Sequence, residues 1–222
     1  MALAFVQSIG SGSGADAQSL AYTSNVTAGN LLIASVRESG GSGAVWAAVT
    51  DSLGNTWNQG VRGASGAGTV QLFWAKSVST GACTVSFDGG SNVALRCTLH
   101  EFSGTFGATP IDQTAYNAGD GTSPDASSSI TPANANALLF SVCGSSSDFT
   151  ASSAGASWTL GPNGFSRVYG AYRIVSASAS YNADWSYTSG GDIGLLIASF
   201  VESGGGSSIR AISSGHHLRG LR

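Results

Sequence analysis

One largely apolar sequence, Leu-Leu-Ile-Ala-Ser, occurs at residues 31–35 and again at residues 195–199, and a related run occupies residues 138–142. Each run is short and is bounded by Gly, Asn, Asp or Ser. A buried helix segment can have the same composition, but no helix-capping pattern flanks these runs. Short apolar runs between turn-forming residues are typical of strands buried on both faces. We therefore expect all three runs to be central strands.

The composition favours an all-β fold. Of the 222 residues, 42% are hydrophobic, 9% are charged and 32 are Gly, and Lys76 is the single lysine. Average globular proteins carry about 25% charged residues. Exposed helix faces need Glu, Lys and Ala, whereas Thr suits sheet surfaces and Ser, Gly and Asn suit turns. The chain is therefore expected to be a packed β protein whose surface is rich in hydroxyl and amide groups.

The order of motifs in the first half of the chain recurs in the second half. The matched pairs are 5–8 with 111–114, Asn30 with Asn136, 54–57 with 155–158, Val70 with Val168, Trp74 with Tyr172, Phe87 with Trp185, and 103–104 with 203–204. The spacing between partners drifts, as loop-length changes after a duplication would produce. We therefore predict repeat halves at about 5–104 and 111–204, each with about seven strands.

The domain organisation follows from the junction between these halves. Residues 103–110 form a short junction that contains Phe106 and is not a polar spacer, so tandem sandwiches are less favoured than one shared core. The prediction is an all-β, two-sheet, jelly-roll-like sandwich with internal pseudo-duplication over residues 1–204. A Gly/Ser linker and an extended basic C-terminal tail follow at 205–222.

Five segments carry a resemblance to a known kind of module. They are residues 25–32, 49–57, 72–76, 100–104 and 110–115. Together they resemble the jelly-roll-type β-sandwich modules of phage virion proteins and bacterial surface proteins, over residues 3 to 201. These are turn and core motifs, so the resemblance implies a fold and a setting. It brings no catalytic residues.

Charge is distributed unevenly along the chain. Residues 1–206 hold all twelve acidic and six of the nine basic residues, whereas the last sixteen residues hold three Arg, two His and no acid. Such a short, polar tail cannot form its own core, so we expect it to dock on a partner. The candidate partner-binding residues are Ile209, Arg210, Ile212, His216, His217, Leu218, Arg219, Leu221 and Arg222. A tail added for protein production is the simpler alternative.

The sequence contains little that points to catalysis. His100 and Glu101 are neighbours on one expected strand, so they should point to opposite faces, one at the surface and one hydrogen-bonded. Asp120 and Asp125 supply fewer oxygens than calcium needs. No nucleophile elbow, phosphate-binding loop or zinc-protease motif is present. We expect a non-enzymatic protein without a cofactor or a bound metal.

The aromatic residues divide into two groups. Trp57, Trp158 and Trp185 lie in expected strands with repeat partners, which favours core positions. Three tyrosines lie near turns and are candidate glycan-binding residues; they are Tyr116, Tyr181 and Tyr187. Core or rim packing remains the commoner fate of such rings.

The spacing of two cysteines predicts a hairpin. If residues 83–87 and 93–97 pair around a turn at 89–91, Cys83 faces Cys97 on one buried side. Direct opposition brings the two Cα atoms within disulfide range, but a reducing cytoplasm keeps thiols. We therefore expect adjacent buried thiols, with Cys143 separate and reduced.

The functional expectation combines these observations. The start lacks a signal-peptide pattern, and no segment reaches the roughly 18 apolar residues of a membrane span. Basic residues are too sparse for a nucleic-acid footprint. We therefore expect a structural protein of a phage particle, such as a capsid decoration protein, which is made in the host cytoplasm and acts in the virion. Its expected partners are other virion proteins or its own copies in a symmetric assembly. The alternative is an extracellular carbohydrate-binding or adhesion module.

Overall fold

The computed structural model describes residues 2–11, 16–39, 48–66, 68–90, 93–119, 121–188 and 191–203. These residues form sixteen strands and no helix. The first eight are β1 Ala4–Gly10, β2 Ala17–Ala21, β3 Leu31–Ser39, β4 Ala48–Asp51, β5 Asn58–Ser65, β6 Gly68–Lys76, β7 Thr84–Asp88 and β8 Ala94–Ser103. The second eight are β9 Phe106–Gly119, β10 Asp125–Ala126, β11 Asn136–Ser145, β12 Ala151–Ser153, β13 Thr159–Gly164, β14 Val168–Ser176, β15 Asp184–Tyr187 and β16 Ile193–Glu202.

The two halves of the chain have the same strand order. The first half forms a five-stranded sheet, β1-β8-β3-β6-β5, and a three-stranded sheet, β2-β7-β4. The second half forms β13-β14-β11-β16-β9 and β10-β15-β12, so adding eight to each strand number converts one half into the other. Strands that follow each other in the chain mostly alternate between the two sheets, as in a jelly roll. The prediction of an all-β sandwich with internal pseudo-duplication is confirmed, with eight strands per half instead of about seven.

The sheets pack in four layers around four apolar regions, one between the two halves, one within the first half and two within the second. The two five-stranded sheets face each other across a central core that takes residues from both halves, such as Leu31, Ile33, Phe140 and Phe200. Behind each of them lies the three-stranded sheet of the same half, which encloses its own core. A five-stranded sheet is therefore covered on both faces, which explains why the central strands are continuous apolar runs and do not alternate.

The packing of the two large sheets has an approximate twofold relation. β1 packs on β13 at one edge and β5 packs on β9 at the other, and these pairs exchange when the halves are exchanged. An interface in which the same surface meets itself is the isologous arrangement of a twofold dimer. The chain thus has the architecture of a dimer whose two subunits are joined by residues 104–105.

Strand pairing corrects the repeat alignment by one position. Leu31 pairs with Phe102 and Lys76, and Leu138 pairs with Phe200 and Ile174. Leu31 therefore corresponds to Leu138. The match of Asn30 with Asn136 was wrong by one residue. The strand register follows the apolar residues, and the two identical asparagines are not at equivalent positions.

The predicted hairpin around residues 89–91 is also wrong. β7 pairs with β2 and β4, and β8 pairs with β1 and β3, so the two strands lie in different sheets. Cys83 and Cys97 are both buried in the first-half core, but they approach it from opposite layers. Equal spacing of apolar residues indicates that two strands face the same core. It does not indicate that the two strands are hydrogen-bonded neighbours in one sheet. All three cysteines are free and buried, and burial raises the pKa of Cys83 to about 12.

Glycines allow the two halves to approach each other closely. A Cβ on Gly10 would lie 1.7 Å from the backbone oxygen of Asn163 on β13. A Cβ on Gly161 would lie 2.3 Å from Nε2 of His100, and one on Gly170 would lie 2.7 Å from Cε1 of the same ring. These positions on β1, β13 and β14 therefore require the absence of a side chain.

Candidate binding site

A groove of about 280 Å³ opens at the end of the central core where β16 ends. Leu3, Ile174 and Val175 provide apolar walls, and Asn136, Ser176 and Glu202 provide polar groups. Ile174 is 42% exposed, which is unusual for a large aliphatic side chain of a central sheet. The groove is therefore accessible and has both apolar and acidic character.

The groove exists because the two halves differ at equivalent positions. Lys76 and Ile174 correspond, since each pairs with the first leucine of its central strand. In the first half, Lys76 donates a hydrogen bond to the carbonyl of Phe106, whose side chain is 3% exposed and packs in the central core. In the second half, the side chain of Ile174 has no hydrogen-bond donor and cannot make such a link, and Leu3 is only partly buried against the same core. A space that side chains fill in one half is thus open in the other.

An exposed aromatic pair lies on the same edge of the sandwich. Phe5 on β1 is 38% exposed and stacks on Tyr172, with ring centroids 5.0 Å apart and planes 8° from parallel. Tyr172 lies two residues before Ile174 on β14, so its side chain is on the same sheet face. Val6, beside Phe5, is 43% exposed. The apolar surface near the groove therefore extends along β1.

The predicted partner-binding residues of the tail lie outside the described residues. These are Ile209, Arg210, Ile212, His216, His217, Leu218, Arg219, Leu221 and Arg222. The described chain ends at Ser203, one residue after Glu202 of the groove. The last described residue therefore directly follows a residue that lines the groove.

The three candidate glycan-binding tyrosines do not lie together. Tyr116 packs against the central core and donates its hydroxyl proton to the carbonyl of Ala64. Tyr187 is 7% exposed in a second-half core and donates to Asp125. Tyr181 is half-buried at a third position, with the guanidinium of Arg173 5.0 Å from its ring centroid. Each ring packs against a different apolar region.

Glu101 is a buried acid that holds several segments together. It is fully buried and accepts hydrogen bonds from Gln7 Nε2 at 2.6 Å, Asn30 Nδ2 at 2.6 Å and the backbone amide of Thr27 at 2.9 Å. The Oε1 atom of Gln7 in turn accepts from Thr23 and from Ser24. One carboxylate thus ties the turn before β3 to β1 and β8, which is a structural role.

His100 is also fully buried, which corrects the expectation that one of these neighbours is at the surface. Its ring lies in the central core, 4.8 Å from the ring centroid of Phe140, and no described protein group bonds either nitrogen. The two side chains do point to opposite faces, but both faces of β8 are covered. Burial lowers the pKa of His100 to about 3, so the ring is neutral at pH 7.

Acid should destabilise the protein through His100. In the unfolded chain this histidine titrates near pH 6.5, so the unfolded state binds more protons between about pH 6 and pH 3, and stability falls as the pH decreases through that window. Replacing His100 with leucine should remove about 3 kcal/mol of the stability loss between pH 7 and pH 4. Urea unfolding at both pH values measures this difference. As a control, Phe102→Leu in the same core should lower stability equally at both pH values; equal losses in wild type and His100→Leu would contradict the prediction.

The remaining candidate groups are Asp120 and Asp125. Asp120 lies outside the described residues, and Asp125 accepts a hydrogen bond from Tyr187 at 2.6 Å. Within the described ranges, no group of three or more His, Cys, Asp or Glu side chains is placed to hold a metal ion. Among the described residues, no helix is long and apolar enough to span a membrane.

The groove and the Glu101 network were not found from the sequence. The signal for the groove is that Lys76 and Ile174 occupy equivalent positions but differ in chemistry, and it becomes visible only once the strand register is known. Comparison with known proteins adds no further assignment: no protein family, curated protein or solved structure matches this chain.

Proposed function

We propose that this chain is a non-enzymatic structural protein of a phage particle, most simply a capsid decoration protein or similar surface component that its C-terminal tail helps to anchor. Its partners are other virion proteins or further copies of itself in a symmetric assembly. It is made in the host cytoplasm and functions in the virion.

The observation that carries the proposal is the contrast in charge between body and tail. The twelve acids all lie before residue 207, and the last sixteen residues combine three Arg and two His with four Ile or Leu. A segment with basic and apolar residues binds an acidic surface that has apolar pockets. Copies of the acidic body, or an acidic capsid surface, have the matching chemistry.

The roles of the buried polar groups support the same proposal. The hydrogen bonds of Glu101 connect three segments of the first half, and those of Asp51 hold the turn that leads to Trp57. Polar side chains used in this way stabilise a fixed shape. A rigid body with a separate anchoring segment suits a component that covers a particle.

Removing residues 207–222 tests the anchoring role. The deletion leaves all sixteen strands intact, so the truncated protein should still fold as the sandwich. Binding to phage particles from the source of this gene should weaken at least about tenfold, which corresponds to a loss of about 1.4 kcal/mol. The measurement is a competition assay at physiological salt between full-length and truncated protein.

Two substituted tails separate the contributions of charge and apolar contact. One replaces Arg210, Arg219 and Arg222 with Gln, and the other replaces Ile209, Ile212, Leu218 and Leu221 with Ser. Each should lose part of the affinity, and only the loss from the Arg set should shrink as salt is raised. If the truncated protein competes as well as the full chain, the tail is not the anchor.

A carbohydrate-binding or adhesion module is the alternative function. The observation in its favour is the partial exposure of Tyr181, since sugars stack on accessible aromatic faces. A glycan array distinguishes the two proposals. Reproducible glycan binding that Tyr181→Ala abolishes would favour the module, whereas particle binding without glycan binding favours the structural role.

A further inference from the structure

The groove beside Glu202 is an unfilled position in an otherwise repeated architecture. In the first half, the carbonyl of Phe106 accepts from Lys76 and the Phe106 ring closes the end of the central core. In the second half, the groove between Leu3 and Ile174 occupies the related place. The pseudo-symmetry therefore indicates that an apolar side chain from elsewhere completes this end of the core.

The chain itself supplies such a side chain close by. Ser203 is the last described residue and follows Glu202 directly, and Gly204-Gly205-Gly206-Ser207-Ser208 then leads to Ile209. Six residues span at most about 20 Å when extended, and a Gly/Ser segment can reverse direction without strain. Ile209 and Ile212 are thus the first large apolar residues that can reach the groove.

The chemistry of this segment matches the groove. Ile209 and Ile212 offer aliphatic side chains to the walls formed by Leu3 and Ile174. Arg210, between them, offers a guanidinium to the carboxylate of Glu202, which is half-buried and lies at the groove. Burying aliphatic side chains against such apolar walls is favourable.

We propose that residues 209–212 bind in the groove of their own chain and close the open end of the central core. A short flexible linker gives a tethered segment an effective concentration in the millimolar range, so it outcompetes the same segment of another copy in dilute solution. In the free protein, the Ile209–Ile212 part of the tail is then occupied, and the part with both histidines remains available to a partner. The proposal concerns the protein alone and is independent of any particle.

Disulfide formation between introduced cysteines tests this binding. Ser176→Cys at the groove is combined with Ser208→Cys beside Ile209, and the native thiols are buried. The control pair joins Ser208→Cys to Ser147→Cys, which is exposed beyond the opposite end of the ten-residue β11, roughly 30 Å away. Mild oxidation is followed by non-reducing electrophoresis and mass spectrometry. We expect the groove pair to close at least about tenfold faster than the control pair, at a rate independent of protein concentration.

A second comparison separates binding from mere proximity. Ile209→Ser with Ile212→Ser keeps the tether but removes the apolar contacts, and Ile174→Lys places at the groove the residue type found at Lys76 in the first half. Each should slow closure of the groove pair about tenfold while the sandwich itself remains folded. Equal closure rates in these variants and their parent would overturn the proposal, and so would cross-links that form only between chains in proportion to concentration.

Discussion

Gly10→Ala is expected to destabilise the protein by about 3 kcal/mol or more, because the new methyl group has no space at the interface between the halves. Its Cβ would lie 1.7 Å from the oxygen and 2.7 Å from the carbonyl carbon of Asn163. Both are backbone atoms, so no side-chain rotation can relieve the overlap. β1 and β13 must separate, and this opens the edge of the central core.

The matched control for this substitution is Gly107→Ala. Gly107 also lies in a strand, β9, and the nearest atom to its added Cβ is the Cβ of Ser203 at an ordinary 3.6 Å. Its stability should stay within about 0.5 kcal/mol of wild type. Urea unfolding of the three proteins gives the comparison. A Gly10→Ala protein as stable as Gly107→Ala would show that the halves do not approach as closely as described.

Glu101→Gln is expected to cost about 2–4 kcal/mol, although it changes the size of the side chain very little. The carboxylate accepts from two side-chain amides and one backbone amide. An amide group in its place turns one acceptor into a donor, which then faces another N–H in a fully buried position. The turn from Thr27 to Asn30 should lose its anchor, and the amide of Thr27 should exchange with solvent faster.

Glu202→Gln is the control for the same chemical change. Glu202 is partly exposed and accepts a hydrogen bond from the amide of Thr105 at 2.7 Å. Its replacement should cost less than about 1 kcal/mol, because water can compensate at this position. Similar losses for the two variants would mean that Glu101 has no special structural role. Hydrogen exchange of Thr27 provides an independent measure in the same samples.

The apolar runs contained most of the information about the fold. A run without alternation predicts burial on both faces, and β3, β11 and β16 are interior strands covered on both sides. Turn chemistry was equally informative. The predicted turn at 51–55 is held by the carboxylate of Asp51, which accepts from Leu53, Asn55 and Trp57. Local patterns of these two kinds depend on residues that are near each other in sequence.

The features that sequence patterns could not predict depend on contacts between distant residues. The alternation of apolar residues around Gly89 fits a hairpin as well as two strands on opposite sides of one core, and β7 and β8 adopt the second arrangement. His100 is a polar residue that the sequence gives no reason to bury. Its burial depends on Gly161 and Gly170, which leave room for the ring. Contacts of this kind become evident only when the two halves are seen packed against each other.

The most direct test of the proposed function is the protein composition of purified phage particles from the source of this gene. Particles are banded by density, washed at physiological salt and analysed by quantitative mass spectrometry. A structural surface component should be present at a fixed number of copies per particle, in a simple ratio to the main capsid protein, and should remain through repeated banding. A chain that is absent from particles, or present at trace levels that fall with each wash, would contradict the proposal.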